Sequence, residues 1–344
     1  METAAPARYW HLRADGRVQC DLCPRHCALR EGQRGVCFGR ACRGGAIVPT
    51  TYGRSSGLAV DPIEKKPLFH FHPGSRVLSF GTAGCTLACR FCQNWDISQA
   101  ARDDILTVEA APDAIAARAG LLGCRSVAFT YNDPAAFYEY ALDTALACRE
   151  RGLASVAVTA GYLDTAPRTE FFAAVDAANI DLKSFDDAFY RRYCGGRLAP
   201  VLETLEHVAR HTATWLEVTT LLIPGLNDSP LEVSTLSAWV AEHLGPDTPL
   251  HFSAFRPAFR MTDRPPTPAG TLLEARRLAR AAGLRFVYTG NVADPEGQST
   301  RCPACNSLLI GRDWYRLTTW RLADGGRCAA CGALCPGVFA PGPD

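Results

Sequence analysis

Three cysteines near the middle of the chain have a spacing that suits an iron–sulfur cluster. Cys85, Cys89 and Cys92 form a C-x3-C-x2-C pattern in the segment GCTLACRFC (84–92), directly after a predicted strand. Thiolates this close together on a short loop can bind adjacent irons of one compact cluster. Three cysteines leave one iron of a [4Fe–4S] cluster open, whereas a structural site closes its coordination. The alternatives are a zinc site completed by a distant cysteine or histidine, and simple core cysteines.

A second group of thiols lies near the C-terminus. Cys302 and Cys305 form one C-x2-C pair, Cys328 and Cys331 form another, and 22 residues separate the pairs. Four thiolates close the coordination of a metal ion, so a structural Zn²⁺ in a zinc ribbon is the leading interpretation. A rubredoxin-like iron is the alternative, and Cys335 is a spare thiol that could compete as a ligand.

A third group lies in an N-terminal segment rich in arginine and glycine. Its members are Cys20, Cys23, Cys27 and Cys37, with Cys42 beyond them. Thiols stay reduced in the cytosol, so clustered cysteines indicate metal ligands before disulfides. The spacing does not identify the metal: Zn²⁺ is the first interpretation, an auxiliary iron–sulfur cluster is the second, and His26 could replace one thiol as a ligand.

The segments between the terminal groups alternate between β-rich runs and helical patterns. The predicted strands are residues 76–82, 126–131, 155–160, 179–183, 215–223, 250–255 and 285–290. Strands that alternate with helices of this length predict βαβ units, a parallel sheet and an α/β fold of TIM-barrel type, open or closed. We therefore expect three parts: a cysteine-rich segment (1–73), a (β/α) barrel core (74–298) and a ribbon-like module (299–344).

Polar residues follow several of the predicted strands. Asn132 and Asp133 come after the second, Asp181 and Lys183 lie at the end of the fourth, and His251 lies in the sixth. The carboxyl ends of barrel strands meet at one mouth, so these side chains predict a ligand site. The chain has only three lysines among its 36 basic residues, which favours a role for Lys183 that arginine cannot fill.

Composition excludes several other classes of protein. With 344 residues, the chain is long enough for about two domains or one barrel with attachments. A hydrophobic fraction of 47% excludes wholesale disorder, and a net charge of +1 argues against a nucleic-acid or membrane-surface partner. We find no secretory signal and no apolar run of about 18 residues, so we expect a cytoplasmic protein.

The central motif resembles the signature of radical S-adenosylmethionine (SAM) enzymes. The wider segments DPIEKKPLFHFHPGS (61–75) and SFGTAGCTLACRFCQNWDISQ (79–99) are similar to the radical SAM member of the AmmeMemoRadiSam system, a relative of the glycyl-radical-enzyme activases such as pyruvate formate-lyase activating enzymes. The similarity continues through TYNDP (130–134), NIDLK (179–183) and HFSAFRPAFRMTDRPPTP (251–268) and includes both terminal cysteine groups. It therefore covers nearly the whole chain.

This resemblance implies a radical SAM partial barrel and a specific chemistry. Cys85, Cys89 and Cys92 would hold a [4Fe–4S] cluster whose open iron is chelated by the amino and carboxylate groups of SAM. One electron would cleave the sulfonium to methionine and a 5′-deoxyadenosyl radical, which abstracts hydrogen from a substrate. The implied cofactor-binding residues are Phe91, Gly84, Asn132, Asp133, Asp181, Lys183 and His251. Relatives usually carry glutamate where Asp133 stands.

The resemblance also implies partners, and alternatives remain. The chemistry requires a low-potential reductant such as flavodoxin or ferredoxin, and the family is associated with Memo-type and AMMECR-type proteins. The alternative within the enzyme class is a glycyl-radical-enzyme activase that acts on a protein glycine. Outside that class stand a zinc-ribbon protein that binds or modifies RNA and a non-catalytic iron–sulfur electron carrier. The substrate is not identified by any residue.

Overall fold

A computed structural model describes residues 6–339 of the protein. The outer ends of the predicted terminal parts, residues 1–5 and 340–344, lie outside the described residues. The N-terminal part folds into short antiparallel strands, which are β1 (Trp10–Leu12), β2 (Val18–Cys20), β3 (Ala28–Leu29), β4 (Arg40–Arg43), β5 (Ala46–Pro49) and β6 (Arg54–Ser55). Strands β1, β2 and β3 form one sheet, and β4 pairs with β5.

An eight-stranded sheet forms the centre of the molecule. Its strands are β7 (Gly57–Pro62), β8 (Arg76–Gly81), β10 (Ser126–Phe129), β11 (Ala154–Thr159), β12 (Ala177–Asp181), β13 (Trp215–Leu222), β14 (Leu250–Ala254) and β15 (Val287–Gly290); the short β9 (Val108–Glu109) pairs with β6 outside it. The order across the sheet is β15-β14-β13-β12-β11-β10-β8-β7. Seven strands are parallel, and β7 is antiparallel to β8. The predicted α/β fold with a central parallel sheet is confirmed.

Helices link the strands of the sheet, and the longer ones pack against it. They are α1 (Trp95–Ser98), α2 (Pro112–Leu121), α3 (Tyr138–Glu150), α4 (Thr165–Ala174), α5 (Asp187–Phe189), α6 (Ala199–His211), α7 (Pro230–His243), α8 (Ala269–Ala281) and α9 (Pro295–Gln298). A π turn (Tyr190–Cys194) follows α5, and 3₁₀ turns occupy Ile63–Lys65, Pro134–Phe137 and Asp324–Gly326. All four residues of β10 are buried, so this strand is covered on both faces, as is typical of a parallel sheet.

Local sequence explains where the longer helices begin. The Ser229 hydroxyl accepts a hydrogen bond from the Glu232 N–H, and Pro230 fills the first helical position of α7. Pro112 begins α2 in the same way. Among the described residues, none of the helices combines the length and the apolar character that a membrane crossing would require.

The C-terminal module packs against the open edge of the sheet at β15. Its strands are β16 (Thr300–Arg301), β17 (Leu308–Asp313), β18 (Arg316–Trp320), β19 (Leu322–Ala323) and β20 (Arg327–Cys328). Leu309 and Ile310 of the module share an apolar core with Phe69, Phe286 and Tyr288. Burying these side chains together fixes the module to the edge of the sheet.

Candidate functional site

The carboxyl ends of the parallel strands surround a cavity of about 420 Å³. The three central cysteines line this cavity. So do Phe91, Asn132, Asp133, Asp181, Lys183 and His251, which are six of the seven predicted cofactor-binding residues. Gly84, the seventh, lies in the loop that carries the cysteines and does not line the cavity. The topology therefore brings together residues that are more than 160 positions apart in the chain.

The loop after β8 depends on Gly84. This residue has a φ of +84°, and a Cβ atom there would lie 2.0 Å from the carbonyl oxygen of Cys37. Only glycine tolerates that combination. Asn132 holds the same loop, because its Nδ2 donates to the Gly84 oxygen at 2.6 Å and its Oδ1 accepts from the Thr82 N–H at 2.9 Å.

Asp133 is buried and is held by four donors of the protein. Its carboxylate accepts hydrogen bonds from the hydroxyls of Thr86 (3.1 Å) and Thr159 (3.0 Å) and from the N–H groups of Ala135 (3.0 Å) and Ala160 (3.3 Å). Burial raises the pKa of Asp133. A carboxylate has about four acceptor positions, so the predicted contact with SAM would share a carboxylate that already clamps the loop.

The three central thiols face the cavity in a protonated state. Burial raises the pKa of Cys85 and of Cys92, and a hydrogen bond with Cys194 together with burial raises the pKa of Cys89. The Cys92 sulfur lies 2.9 Å from the Ser98 hydroxyl oxygen. Metal binding would displace these protons. Three thiols around an open cavity match the donor set of a [4Fe–4S] cluster with one free iron.

Asp181 and Lys183 form an ion pair at the cavity wall, with Nζ and Oδ2 2.9 Å apart. Burial lowers the pKa of Lys183, but the neighbouring Asp181 carboxylate favours the charged form and the pKa is raised overall. The ammonium therefore stays charged.

The other two lysines of the chain line the same cavity. The ammonium groups of Lys65 and Lys66 lie 2.8 Å from the two carboxylate oxygens of Asp61. All three lysines of the protein therefore line this cavity, Lys183 at one position and the adjacent Lys65 and Lys66 at another.

His251 is held by a buried carboxylate. Its Nε2 lies 2.7 Å from Oε2 of Glu217, which also accepts the backbone N–H groups of Phe69 and His70. Burial raises the pKa of Glu217, but the hydrogen bond from His251 and the nearby imidazoles lower it overall. Glu217 is therefore an anion that orients the His251 ring at the cavity.

The four C-terminal cysteines of the two predicted pairs come together. Their sulfur atoms all lie within 4.8 Å of one another. The Cys302–Cys331 and Cys305–Cys328 sulfur distances are 3.6 and 3.7 Å. Four sulfurs about 2.3 Å from a tetrahedral Zn²⁺ would be about 3.8 Å apart, so this group fits one tetrahedral metal ion. Cys335 is not part of the set.

The N-terminal thiols enclose a separate, much smaller cavity. Cys20, Cys23, Cys27 and Cys37 line it, and Cys42 does not. His26, considered as a ligand, instead places Nε2 2.7 Å from Oδ2 of Asp164.

Several residues of the site were not predicted. Thr86 is hydrogen-bonded to Asp133, and Glu217 is hydrogen-bonded to His251. The turn between β17 and β18 brings Trp314 and Tyr315 to the cavity. A charged residue inside the apolar run WLEVTTLLI (215–223) was a signal for Glu217, because a lone buried carboxylate requires partners. No local signal pointed to Trp314 or Tyr315.

The sequence is similar to those of known proteins. Residues 80–235 match the Radical SAM superfamily. The chain is 42% identical over 327 residues to the uncharacterized protein MJ0808 of Methanocaldococcus jannaschii. The aligned region covers 95% of this chain and 97% of that protein.

Two solved structures resemble it weakly. SuiB of Streptococcus suis bound to S-adenosylmethionine has 14% identity and a TM-score of 0.48 over 66% of this chain and 52% of that chain. A domain of a pyruvate-formate lyase-activating enzyme from Bacteroides vulgatus has 17% identity and a TM-score of 0.43 over 48% and 99%.

Proposed function

Since the chain belongs to the radical SAM superfamily, we propose that it is an enzyme that cleaves SAM at Cys85, Cys89 and Cys92 and abstracts hydrogen from a substrate in the cavity above them. The observation that carries this proposal is the convergence of the three thiols and the strand-end polar groups on one cavity. A bound [4Fe–4S] cluster and SAM would supply reductive cleavage to methionine and a 5′-deoxyadenosyl radical.

The chain's own residues bind and orient the cofactor. Asp181 and Lys183 present one negative and one positive group beside Cys89, which suits the amino and carboxylate groups of a methionine moiety. Phe91 is 4% exposed and lies against the cavity, where it offers an apolar face for adenine.

Other residues exclude water and fix the loop. Leu87 lies between the cysteines at 2% exposure and keeps solvent from the thiols. Asn132 and Asp133 hold the loop backbone. Such rigid positioning is required because a radical reacts with whatever group lies closest.

His251 is available for a proton transfer or a hydrogen bond to the ligand. With Nε2 bonded to Glu217, the remaining ring nitrogen is directed away from that carboxylate. We assign His251 to the wall of the ligand site and Glu217 to its positioning.

The partners of the proposed reaction are a low-potential one-electron donor such as flavodoxin or ferredoxin, and Memo-type and AMMECR-type proteins in the same pathway. The C-terminal thiols would hold a structural Zn²⁺. These assignments rest on the chemistry of the reaction and on the resemblance of the sequence.

The test is the production of 5′-deoxyadenosine after anaerobic reconstitution with iron and sulfide and addition of dithionite and SAM. Wild type is compared with Cys89→Ala and with the control Cys124→Ala, which changes a buried cysteine outside the cavity. We expect product from wild type and the control and none from Cys89→Ala.

The proposal is refuted if all three proteins form product. It is also refuted if the cluster is reconstituted but none of the three proteins binds SAM. If cleavage requires a partner, addition of the Memo-type and AMMECR-type proteins restores product in wild type alone. A protein substrate would then appear as a glycyl radical signal on that partner, which is the result expected for an activase.

A further inference from the structure

The N-terminal cysteines surround one enclosed space. Cys20, Cys23, Cys27 and Cys37 come from β2, from the loop between β2 and β3, and from the loop before β4, and they line the same cavity. A Cβ atom at Gly35 would lie 3.8 Å from the sulfur atoms of both Cys27 and Cys37. These two sulfurs are therefore no farther apart than twice that distance.

The N-terminal sulfur atoms are more widely spaced than those of the C-terminal group. Among residues 6–339, the C-terminal cysteines are the only set of three or more potential ligands whose atoms all lie within 4.8 Å of one another. No three of the N-terminal thiols meet that limit, and neither do the three central thiols. The N-terminal group thus resembles the central group and differs from the group that fits a tetrahedral ion.

An iron–sulfur core holds its cysteine sulfurs farther apart than a single zinc ion does, because its own irons and sulfides lie between them.

A buried arginine, Arg40, lines this space. Arg40 is 1% exposed, and its Nη1 donates to the Cys20 sulfur at 3.4 Å while its Nη2 contacts Glu139. Its Nε is buried and has no hydrogen-bond partner within the described protein. Unsatisfied buried N–H groups are costly, and the sulfides of an anionic cluster would accept from them.

The space adjoins the loop of the central cysteines. The carbonyl oxygen of Cys37 packs against Gly84, and Arg25 Nε donates to the Thr86 oxygen at 2.6 Å. From these observations we propose that Cys20, Cys23, Cys27 and Cys37 hold a second iron–sulfur cluster, not zinc, immediately beside the loop of Cys85. This site goes beyond the proposed SAM chemistry and does not depend on it.

The test counts iron and acid-labile sulfide in a protein without the central ligands. The variant Cys85→Ala/Cys89→Ala/Cys92→Ala is reconstituted anaerobically and freed of loose iron by gel filtration. We expect at least about two and up to about four irons per chain, with equal sulfide, and an electron paramagnetic resonance signal after dithionite reduction that SAM does not alter. Adding Cys23→Ser and Cys27→Ser removes iron, sulfide and signal, whereas adding Cys42→Ala, a thiol outside the cavity, leaves all three.

The reciprocal experiment tests the proposal even if the triple variant does not fold. In the otherwise wild-type chain, Cys23→Ser/Cys27→Ser loses the N-terminal iron and sulfide but retains the central cluster and its response to SAM. One zinc per chain at this site without sulfide, or an iron and sulfide content unchanged by Cys23→Ser/Cys27→Ser, overturns the proposal. Because these readouts are metal and sulfide contents, they hold whether or not SAM is cleaved.

Discussion

The Thr86 hydroxyl donates a hydrogen bond to the Asp133 carboxylate at 3.1 Å, and this contact ties the residue after Cys85 to the segment that follows β10. Asp133 also accepts from Thr159, the last residue of the neighbouring strand β11. A single carboxylate therefore joins the cysteine loop to two strands of the sheet, in addition to any contact it makes with a cofactor.

We predict that Asp133→Ala weakens the retention of the central cluster. Four donors lose their acceptor, and each buried unpaired group costs about 1–3 kcal/mol, so iron affinity at the central site falls about tenfold or more. Asp133→Asn, which keeps one carbonyl acceptor, has a smaller effect. The measurement is iron bound against chelator concentration, with the exposed Asp113→Asn as control. Equal retention in Asp133→Ala and wild type would contradict the clamp.

Lys183→Met lowers the affinity for SAM. A charge-assisted hydrogen bond contributes about 1.5–3 kcal/mol, so the dissociation constant rises about tenfold to a hundredfold, and the loss leaves Asp181 without its partner. Equilibrium dialysis on the reconstituted protein measures this change. Lys65→Met is the matched control, because that side chain is 46% exposed and is paired with Asp61 instead of Asp181. Unchanged SAM binding in Lys183→Met would remove Lys183 from the ligand site.

We predict that Arg312→Met weakens the packing of the C-terminal module against the central sheet and lowers the stability of the protein. Arg312 is fully buried, donates to the Phe69 oxygen at 2.7 Å and to the Thr300 hydroxyl at 2.8 Å, and lies 3.7 Å from Glu64. Removing one member of a buried ion pair costs about 3–5 kcal/mol. Calorimetry should show a lower melting temperature than for wild type or for the exposed Arg316→Met. A melting temperature equal to that of Arg316→Met would show that the buried pair is dispensable.

His70 makes stability depend on pH. Burial lowers the pKa of His70 to about 4, below the value of about 6.5 in an unfolded chain. Between these values the unfolded state binds more protons, so stability is complete above pH 6.5 and falls by up to about 3 kcal/mol as the pH drops toward 4. The His70 ring bridges the Tyr288 hydroxyl and the Pro336 oxygen, both at 2.6 Å.

The comparison of wild type with His70→Asn isolates this effect from the acid sensitivity of the metal sites. We expect the melting temperature to drop more for wild type than for the variant between pH 7.5 and pH 5.5. An equal drop in melting temperature for the two proteins would show that another group controls the loss of stability at low pH.

Periodicity and strand-end polarity were sufficient to predict the seven parallel strands and most of the cavity wall. The strand boundaries shifted by a few residues: β10 ends at Phe129, and β12 spans Ala177–Asp181. The edge strand β7 was not predicted, because its six residues end in Asp-Pro and show only a short alternation. Its pairing with β8 depends on contacts that local sequence does not specify.

The positioning residues required the three-dimensional structure. The tie between Thr86 and Asp133 spans 47 positions, and that between Glu217 and His251 spans 34. Spacing identifies ligands on one loop, such as Cys85 and Cys89, because the loop itself brings them together. It does not reveal a hydrogen bond between loops that only the fold brings into contact.

The turn between β17 and β18 places Trp314 and Tyr315 on the cavity wall, although the cysteines of its module lie elsewhere. The radical-generating residues and this part of the wall therefore belong to separate stretches of the chain. A hairpin of different length or composition could be exchanged there while β8, its loop and the strand ends stay unchanged. Such an exchange offers a way for one ancestral barrel to diversify the molecules it accepts without rebuilding its chemistry.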